Sequence, residues 1–286
     1  MMETAESERR EPPLGAYGLR VYGVTASDLL VEAETAWPSL ELSNEVGPSE
    51  DVAEEVGHAH ATMRLRSGGK IEVRRAHSAA AARFVTPQPL TDEELVHPYL
   101  APVAGVMAHW FGRESFHAGG FAVDGDVWGV IGDRFAGKSS TLAWLALRGH
   151  AIVADDLLVV DPDTGGVFGG PRSVDLRADA RERLGAGLSI GLAGARERWR
   201  LRLAPLPSGL RLRGWIFLEW GEETELRSIG GAERLRLLAG QRGLRVAPRN
   251  PGVFLELASL PCWKLRRPQD WSSLEPAAGR LLAAIS

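Results

Sequence analysis

The sequence predicts an α/β protein with a β-rich N-terminal portion, and two observations carry that prediction. Ahead of residue 112, apolar and polar residues tend to alternate, as in ATMRLRSGGKIEVRRA, where a Ser-Gly-Gly turn joins two such runs into a hairpin. Beyond it, the hairpin FAVDGDVWGVIG, the helical segment STLAWLALRG and the apolar run HAIVADDLLVVD follow in the order of a βαβ unit. We therefore divide the chain into a β-rich portion, 15–111, and an α/β domain, 112–286.

The β-rich portion is preceded by residues 1–14, which are charged and without periodicity and are predicted to be a disordered tail. From Tyr17 the segment YGLRVYGVTA alternates as a strand does, whereas the acidic segment 44–60, punctuated by glycine and proline, is predicted to be a loop. The segment HPYLAPVAGVMAHWFG has apolar residues at helical spacing and ends at Gly112, which predicts a helix that stops there.

The last third of the chain mixes strand and helix patterns. LRGWIFLEWG and TELRSIGG are typical of strands, and AERLRLLAGQ is typical of a short helix. LPCWKLRRP predicts a last strand, and DWSSLEPAAGRLLAAIS predicts a capped terminal helix. No internal repeat is visible, so these elements are expected to complete the α/β domain.

Composition excludes several classes of protein. The 286 residues are 44% hydrophobic and 24% charged, as in ordinary globular chains, and the net charge of −4 lacks the basic excess typical of nucleic-acid binding. No apolar run is long enough to span a membrane, and the N-terminus lacks the apolar core of a signal peptide. The single cysteine, Cys262, excludes an intramolecular disulfide. We expect a soluble, cytoplasmic protein with neither a nucleic-acid nor a membrane partner.

One motif carries chemistry. Residues 132–139, GDRFAGKS, fit G-x-x-x-x-G-K-[ST], the phosphate-binding loop, and they stand between a predicted strand and a predicted helix as that motif requires. The glycines let successive backbone N–H groups point at phosphate, the lysine reaches the β- and γ-phosphates, and the serine hydroxyl ligates Mg²⁺. The predicted nucleotide-binding residues are Gly132, Asp133, Arg134, Phe135, Ala136, Gly137, Lys138, Ser139 and Ser140.

Two adjacent carboxylates, Asp155 and Asp156, follow the apolar run AIV. Such a pair suits metal coordination and acceptance of a proton from a hydroxyl group. Neighbouring side chains of a strand point to opposite faces, so at most one would face a nucleotide unless the strand ends there. The alternative is a strand-terminal pair solvated by water.

The segment 132–156 resembles the nucleotide-binding core of HPr kinase/phosphorylase and its relatives. Those enzymes share a Gly-Asp-x-x-x-Gly-Lys-Ser loop, a helix ending in Arg-Gly-His and a strand ending in Ala-Asp-Asp; here 148–150 and 154–156 match without a gap. A histidine, His117, also lies 15 positions before the first glycine of the loop, where that family places one.

The resemblance implies a P-loop domain of the HPr kinase/phosphoenolpyruvate carboxykinase type, with ATP and Mg²⁺ as cofactors. It implies that Lys138 and Ser139 bind phosphate and Mg²⁺, and that Asp156 accepts the hydroxyl proton. His117 would lie beside the transferred phosphate, or else be a structural histidine. Catalysis is thus assigned to Asp156, His117 and Lys138, and metal binding to Ser139 and Asp155.

The second half is similar to the shorter HPr-kinase-like proteins of peptide natural-product pathways, including the lasso-peptide kinases. The similar segments are FGGPRSVDLRADA, RERWRLRL and LPCWKLRRPQDWSSL, and Ser140 stands where HPr-phosphorylating enzymes carry a glutamate. The resemblance implies phosphoryl transfer to a serine hydroxyl of a ribosomally made peptide. A small-molecule alcohol as acceptor and a non-catalytic ATP-binding regulator are the alternatives. A homo-oligomer also stays open, because the HPr-phosphorylating relatives form hexamers.

Two further arginines are candidates for contacts with phosphate or substrate. Arg200 lies in the run RERWRLRL, and Arg172 follows Gly-Gly-Pro in a predicted turn. A guanidinium binds phosphate through two parallel hydrogen bonds. The alternative for the run is a solvated basic face of an amphipathic strand.

Overall fold

The β-rich portion forms one sheet in this computed structural model, which describes residues 12–65, 68–193 and 196–286. Within those ranges the sheet has eight strands in the order β3-β1-β2-β4-β8-β7-β6-β5, with β2, β4 and β8 parallel and the other pairs antiparallel. Its strands are β1 Leu14–Ala16, β2 Leu19–Tyr22, β3 Val31–Glu32, β4 Ser39–Val46, β5 Glu55–Val56, β6 His60–Arg64, β7 Lys70–Ala76 and β8 Ala79–Thr86. The predicted hairpin of β6 and β7 is confirmed, although the serine of its turn lies outside the described residues.

Three predictions about this portion need correction. The strand predicted from Tyr17 is shorter than expected, because Tyr17 and Gly18 have φ of 57° and 73° and form the turn between β1 and β2. Within the predicted segment only residues 19–22 are paired, as β2. Strand β1 therefore begins inside the predicted tail, whose residues 1–11 lie outside the described part. The predicted loop 44–60 is shorter than expected, because β4 pairs with β8 as far as Val46 and two further strands begin before residue 61. Main-chain pairing overrides local composition there.

Helices α1 Asp92–Val96 and α2 Leu100–Trp110 connect this sheet to the rest of the chain. Thr91 caps α1 in a capping box with Glu94. Helix α2 is buried along most of its length, and the chain leaves it at Gly112 with a φ of 75°. The predicted helix and its glycine stop are confirmed.

The remaining strands form three sheets in the described residues. The largest has the order β12-β10-β11-β18-β20-β19, and the smaller ones have the orders β14-β13-β9 and β15-β17-β16. The strands are β9 Glu114–Phe116, β10 Gly119–Val123, β11 Asp126–Gly132, β12 Ile152–Ala154, β13 Leu158–Val160, β14 Val167–Phe168, β15 Ser173–Leu176, β16 Leu188–Ala193, β17 Arg196–Arg202, β18 Arg211–Trp220, β19 Glu225–Ser228 and β20 Cys262–Arg267. The helices are α3 Lys138–Ala146, α4 Ala178–Leu184, α5 Gly231–Gly240, α6 Pro251–Ser259 and α7 Leu274–Ile285.

The centre of the largest sheet is parallel, and its geometry places the site. Strands β11, β18 and β20 run in the same direction, so their carboxyl ends lie at one edge of the sheet. Strand β12 is also parallel to β11, because β10 lies between them and is antiparallel to both. The predicted βαβ unit is confirmed. Ligands bind at the carboxyl ends of such strands in open α/β sheets.

The run HAIVADDLLVVD is not the single strand that its apolar residues predict. Strand β12 ends at Ala154, and β13 starts at Leu158 in a different sheet, where it pairs with β9 and β14. Asp156 separates them with a φ of 68°, which turns the chain. The apolar residues on both sides are buried, so the pattern cannot distinguish two short strands from one long strand.

Buried apolar side chains form two clusters. One is continuous from the N-terminal sheet through α2 to the central strand β18, where Phe116 packs edge-on against Trp215 at 4.8 Å between ring centroids. The other fills the space between α3, α7 and the largest sheet, with Leu142 and Ala277 fully buried. None of the helices in the described ranges is long and apolar enough to span a membrane.

Candidate functional site

The loop between β11 and α3 has a backbone conformation that requires glycine at position 137. Gly137, the residue before α3, has a φ of 87°, and a Cβ there would lie 3.1 Å from Arg267 and 3.2 Å from the ring of Trp220. The Trp220 indole donates a hydrogen bond to the carbonyl of Phe135, 2.9 Å, and so fixes the outer part of the loop. Any other residue at position 137 would therefore have a strained backbone conformation, and its side chain would be crowded by Arg267 and Trp220.

Lys138 is a buried cation. Its Nζ donates to the carbonyl oxygen of Gly132 at 2.6 Å, and the residue is 8% exposed. Burial lowers the pKa of Lys138, while the charges of Asp155, Asp156 and Asp133 oppose that shift. An ammonium with three donors and one carbonyl partner among the described residues is suited to bind an added anion.

Asp155 lies at the end of β12, across from the start of α3. It is 3% exposed and accepts hydrogen bonds from Ser139 Oγ at 3.2 Å and from the backbone N–H of Asp156 at 3.1 Å. Burial raises the pKa of the Asp155 carboxyl to about 8, with the charge of Asp156 adding to the effect. A buried carboxylate of this kind favours a nearby cation.

The turn at Asp156 brings both aspartates to the same place. In a continuous strand the two side chains would point to opposite faces, but β12 ends at Ala154 and the left-handed conformation of Asp156 redirects the chain. Both residues line one cavity together with Lys138 and Ser139. Both carboxylates can face the loop because strand β12 ends before them.

His117 lies against the backbone of this turn. Its Nδ1 is 3.0 Å from the carbonyl oxygen of Asp156, and its own backbone N–H donates to the carbonyl of Gln241 at 2.6 Å. A carbonyl oxygen can only accept, so Nδ1 carries a proton in this contact. This contact positions His117 beside the two aspartates.

Arg267, at the carboxyl end of β20, is a site residue that the sequence did not reveal. It is 6% exposed, its guanidinium lies 4.3 Å from the centroid of the Trp220 ring, and it donates to Ser273 Oγ at 3.1 Å and to two backbone carbonyls. It forms no ion pair with any residue that the structure describes. Burial lowers the pKa of Arg267 to about 10. A buried guanidinium without a carboxylate is a second anion-binding group beside the loop.

These groups surround a single cavity of about 1160 Å³. Residues 133–140 of the loop line the wall of the cavity. Gly132 does not line it, but its carbonyl oxygen accepts the hydrogen bond from Lys138. The other predicted residues on the wall are His117, Asp155 and Asp156, and Arg267 joins them. The structure therefore brings together the loop, the two aspartates and the histidine.

The two predicted phosphate-binding arginines are placed elsewhere. Arg172 is buried and donates to the carbonyls of Ala204 and Val153, so it ties three segments together. Arg200 binds the carboxylate of Asp175 through two parallel hydrogen bonds of 2.8 and 2.9 Å and also contacts Glu93 at 2.9 Å. Neither guanidinium lines the cavity. Their donors are engaged within the protein.

The donor set of the site suits Mg²⁺. The Ser139 hydroxyl and the Asp155 carboxylate are adjacent oxygen ligands of the type that this cation takes. No cluster of three or more His, Cys, Asp or Glu side chains able to hold a metal is found among the described residues. Mg²⁺ usually takes only one or two carboxylates from the protein and completes its shell with water and substrate phosphates. The residues present therefore fit a metal that arrives with a nucleotide.

Comparisons with known proteins add little. No protein-family model matches this chain, and no curated protein matches it. Among solved structures, the chain is similar to the Hpr(Ser) kinase/phosphatase from Coxiella burnetii, with 14% identity and a TM-score of 0.30 over 60% of this chain and 99% of that chain.

Proposed function

We propose that this protein transfers the terminal phosphoryl group of ATP, with Mg²⁺, to a serine hydroxyl of a ribosomally made peptide. The observation that carries the proposal is the turn at Asp156, which brings two carboxylates into the cavity of a phosphate-binding loop. Lys138 and Ser139 of that loop lie on the same wall. A loop alone would support nucleotide binding, and the carboxylate pair adds the groups that transfer to a hydroxyl needs.

Phosphate binding is assigned to the loop and two buried cations. The backbone N–H groups at the start of α3 and the Nζ of Lys138 would meet the β- and γ-phosphates. Arg267, which lies beside Gly137 of the loop, would compensate further negative charge. Ser139 and Asp155 would hold Mg²⁺, which when bound neutralises charge on the phosphate oxygens. Fixed groups in a buried site supply most of the rate in such transfers.

Proton acceptance is assigned to Asp156. Asp156 is the residue at which the chain turns, and hydrogen bonds between its backbone and the side chains of Asp155 and His117 fix its position. The carboxylate would align the serine hydroxyl and take its proton as the oxygen attacks phosphorus. His117 would hold the turn through Nδ1 and lie beside the transferred group.

The test is phosphate incorporation into candidate serine peptides, followed by mass spectrometry, with Asp156→Asn. The variant keeps shape and hydrogen bonding but loses basicity, so transfer is expected to fall by about 10²-fold or more, the usual contribution of a positioned base. ATP affinity by isothermal titration is expected to be unchanged or higher, because a repulsive charge is removed. The matched control is Asp124→Asn, an aspartate in a left-handed turn with a φ of 51° that does not line the cavity.

Three results would contradict parts of the proposal. Transfer by Asp156→Asn at the rate of the unaltered chain removes the assigned base. Transfer to small alcohols but to no peptide supports the small-molecule kinase instead. Firm ATP binding with no transfer to any hydroxyl compound supports a non-catalytic regulator.

A further inference from the structure

Strand β17 carries arginines at alternate positions, and the structure divides them into two pairs. Alternate residues of a strand project from the same face. Arg200 and Arg202, at the end of the strand, form ion pairs with carboxylates of β15 and of the N-terminal portion. Arg196 and Arg198, at its start, form no ion pair with any described residue, and Arg198 lines the cavity. The charges of the pair at the end of the strand are thus compensated by carboxylates, whereas those of the pair at its start have no carboxylate partner among the described residues.

The unpaired arginines belong to a larger basic cluster around Phe135. This ring of the phosphate-binding loop is 49% exposed. Guanidinium carbons of Arg177, Arg134 and Arg196 lie 4.3, 4.9 and 5.9 Å from its centroid. Burial and then the charges of Arg198, Arg196 and Arg134 lower the pKa of Arg177, with Asp179 opposing. Several cations around one ring repel one another and favour a bound anion.

The hairpin of β16 and β17 provides a second, independent feature next to this cluster. Strand β16 is the edge of its sheet among the described residues, and it exposes Leu188 and Leu192 at 74% and 67%. Ala193 of β16 and Arg198 of β17 line the cavity wall. An edge strand with exposed apolar side chains is a template on which an extended peptide can add a strand.

We propose that the β16–β17 hairpin and the basic cluster around Phe135 form a docking surface for an extended acidic peptide segment that carries the acceptor serine. Main-chain pairing with β16 and contact with its leucines would align the segment. Carboxylates flanking the serine would pair with Arg196, Arg198 and Arg177. The segment would thereby lead from the edge of the sheet into the cavity that contains Asp156. This proposal rests on the proposed function and specifies its substrate class.

The same surface is less suited to the triphosphate of the nucleotide. The loop backbone, Lys138 and Arg267 already provide the groups that meet phosphate, and none of them belongs to the hairpin. The basic cluster contains Arg134 of the loop, Arg177 at the N-cap of α4 and Arg196 of β17. It adjoins the exposed leucines of β16, with which a phosphate chain makes no favourable contact. An acidic peptide can pair its carboxylates with the arginines and its main chain with the edge strand β16.

The experiment measures binding by fluorescence anisotropy, using the full chain with and without ADP and Mg²⁺. The probes are two labelled synthetic peptides with the same central serine, flanked by glutamates in one and by lysines in the other. The unaltered chain is expected to prefer the glutamate peptide. Arg196→Gln/Arg198→Gln is expected to weaken glutamate-peptide binding about tenfold, the sum of two exposed charge pairs. The control Arg211→Gln/Arg213→Gln removes two exposed charges with the same spacing from β18, away from the cavity.

The affinity of the glutamate peptide is also expected to fall with added salt, whereas the affinity for ADP in both double variants should match that of the unaltered chain. Equal binding of the two peptides, or an unchanged affinity in Arg196→Gln/Arg198→Gln, overturns the docking surface. So does a loss of ADP affinity in that variant with peptide binding intact, because the arginines would then serve the nucleotide. Anisotropy requires no phosphoryl transfer, so a preference for the glutamate peptide without any kinase activity would support the surface and contradict the proposed function.

Discussion

Two clusters of charged residues in this protein are built in opposite ways. In the closed cluster, defined as Arg200, Asp175, Glu93 and His97, the guanidinium of Arg200 meets two carboxylates and a backbone carbonyl. In the open cluster, defined as Lys138, Arg267, Asp155 and Asp156, neither cation forms an ion pair within the described part of the chain. Both arginines are nearly inaccessible, at 2% and 6% exposure.

The pKa shifts express the same difference. Burial alone would lower the pKa of Arg200, but the hydrogen bond and charge of Asp175, followed by the charge of Glu93, raise it above its ordinary value. Burial lowers the pKa of Arg267 with no opposing carboxylate. A charge that is compensated within the protein supports the fold, whereas a charge left uncompensated at a cavity is available to a ligand. Variants of each cluster can test this distinction.

The largest expected effect is on the stability of the closed cluster. Arg200→Leu removes the guanidinium that pairs with the buried Asp175 carboxylate and leaves it the longer 3.5 Å contact with His97 Nε2, so the free energy of unfolding should fall by about 3 kcal/mol or more. Urea unfolding followed by circular dichroism measures it. Arg202→Leu is the control, because Arg202 lies on the same strand in surface ion pairs and should cost no more than about 1 kcal/mol. Equal losses in the two variants would show that Arg200 has no special structural role.

The next largest effect is on nucleotide affinity in the open cluster. Lys138→Ala removes the ammonium that would meet two phosphates, and the Kd of ATP should rise about a hundredfold, as expected for losing charge-assisted hydrogen bonds. Isothermal titration gives the value. Lys70→Ala, which breaks ion pairs with Glu50 and Glu72 in the N-terminal sheet, is the control. Unchanged ATP binding in Lys138→Ala would mean that the nucleotide binds elsewhere.

Arg267→Leu tests the comparison most directly. We expect the Kd of ATP to rise about tenfold, while the free energy of unfolding changes by less than about 1 kcal/mol, because replacing an uncompensated buried charge with an apolar side chain is nearly neutral. Ser273 Oγ keeps its hydrogen bonds to the carbonyls of Pro268 and Asp270. A loss of stability like that of Arg200→Leu would place Arg267 among the structural arginines.

The smallest effect is expected for Ser139→Ala. The variant loses a neutral hydroxyl that donates to Asp155 at 3.2 Å, so the Mg²⁺ concentration that gives half-maximal transfer should rise several-fold. ADP binding without metal should be unchanged, as measured by isothermal titration. An unaltered Mg²⁺ dependence would remove Ser139 from the metal ligands.

Local patterns were sufficient for several elements and for the centre of the site. The hairpin of β6 and β7, helix α2 with its stop at Gly112, and the loop between β11 and α3 each follow from spacing and from glycine positions. These features depend on residues close in sequence, so the amino-acid order contains the physical information. The break between β12 and β13 does not follow from the apolar pattern, which continues on both sides of Asp155 and Asp156; only the family resemblance indicated that a strand ends there.

The same limit applies to the arginines. RERWRLRL presents them as equivalent, yet Arg200 meets Asp175 on a neighbouring strand and Glu93 far away in the chain, while Arg198 faces a cavity. No sequence pattern identifies Arg267 as a site residue, because its place in the site depends on parallel strands whose carboxyl ends lie at one edge of the sheet.

The sequence by itself determined the loop motif of residues 132–139, the carboxylate pair and the order of strand and helix around them. Only the tertiary structure decided which charges are compensated, because whether a buried charge has a partner depends on the chains that surround it in space. It turned the chain at Asp156 and bound Arg200 to its carboxylates, whereas Lys138 and Arg267 form no ion pair with any described residue. Residue types define which groups could bind phosphate, and long-range packing selects the ones available to do so.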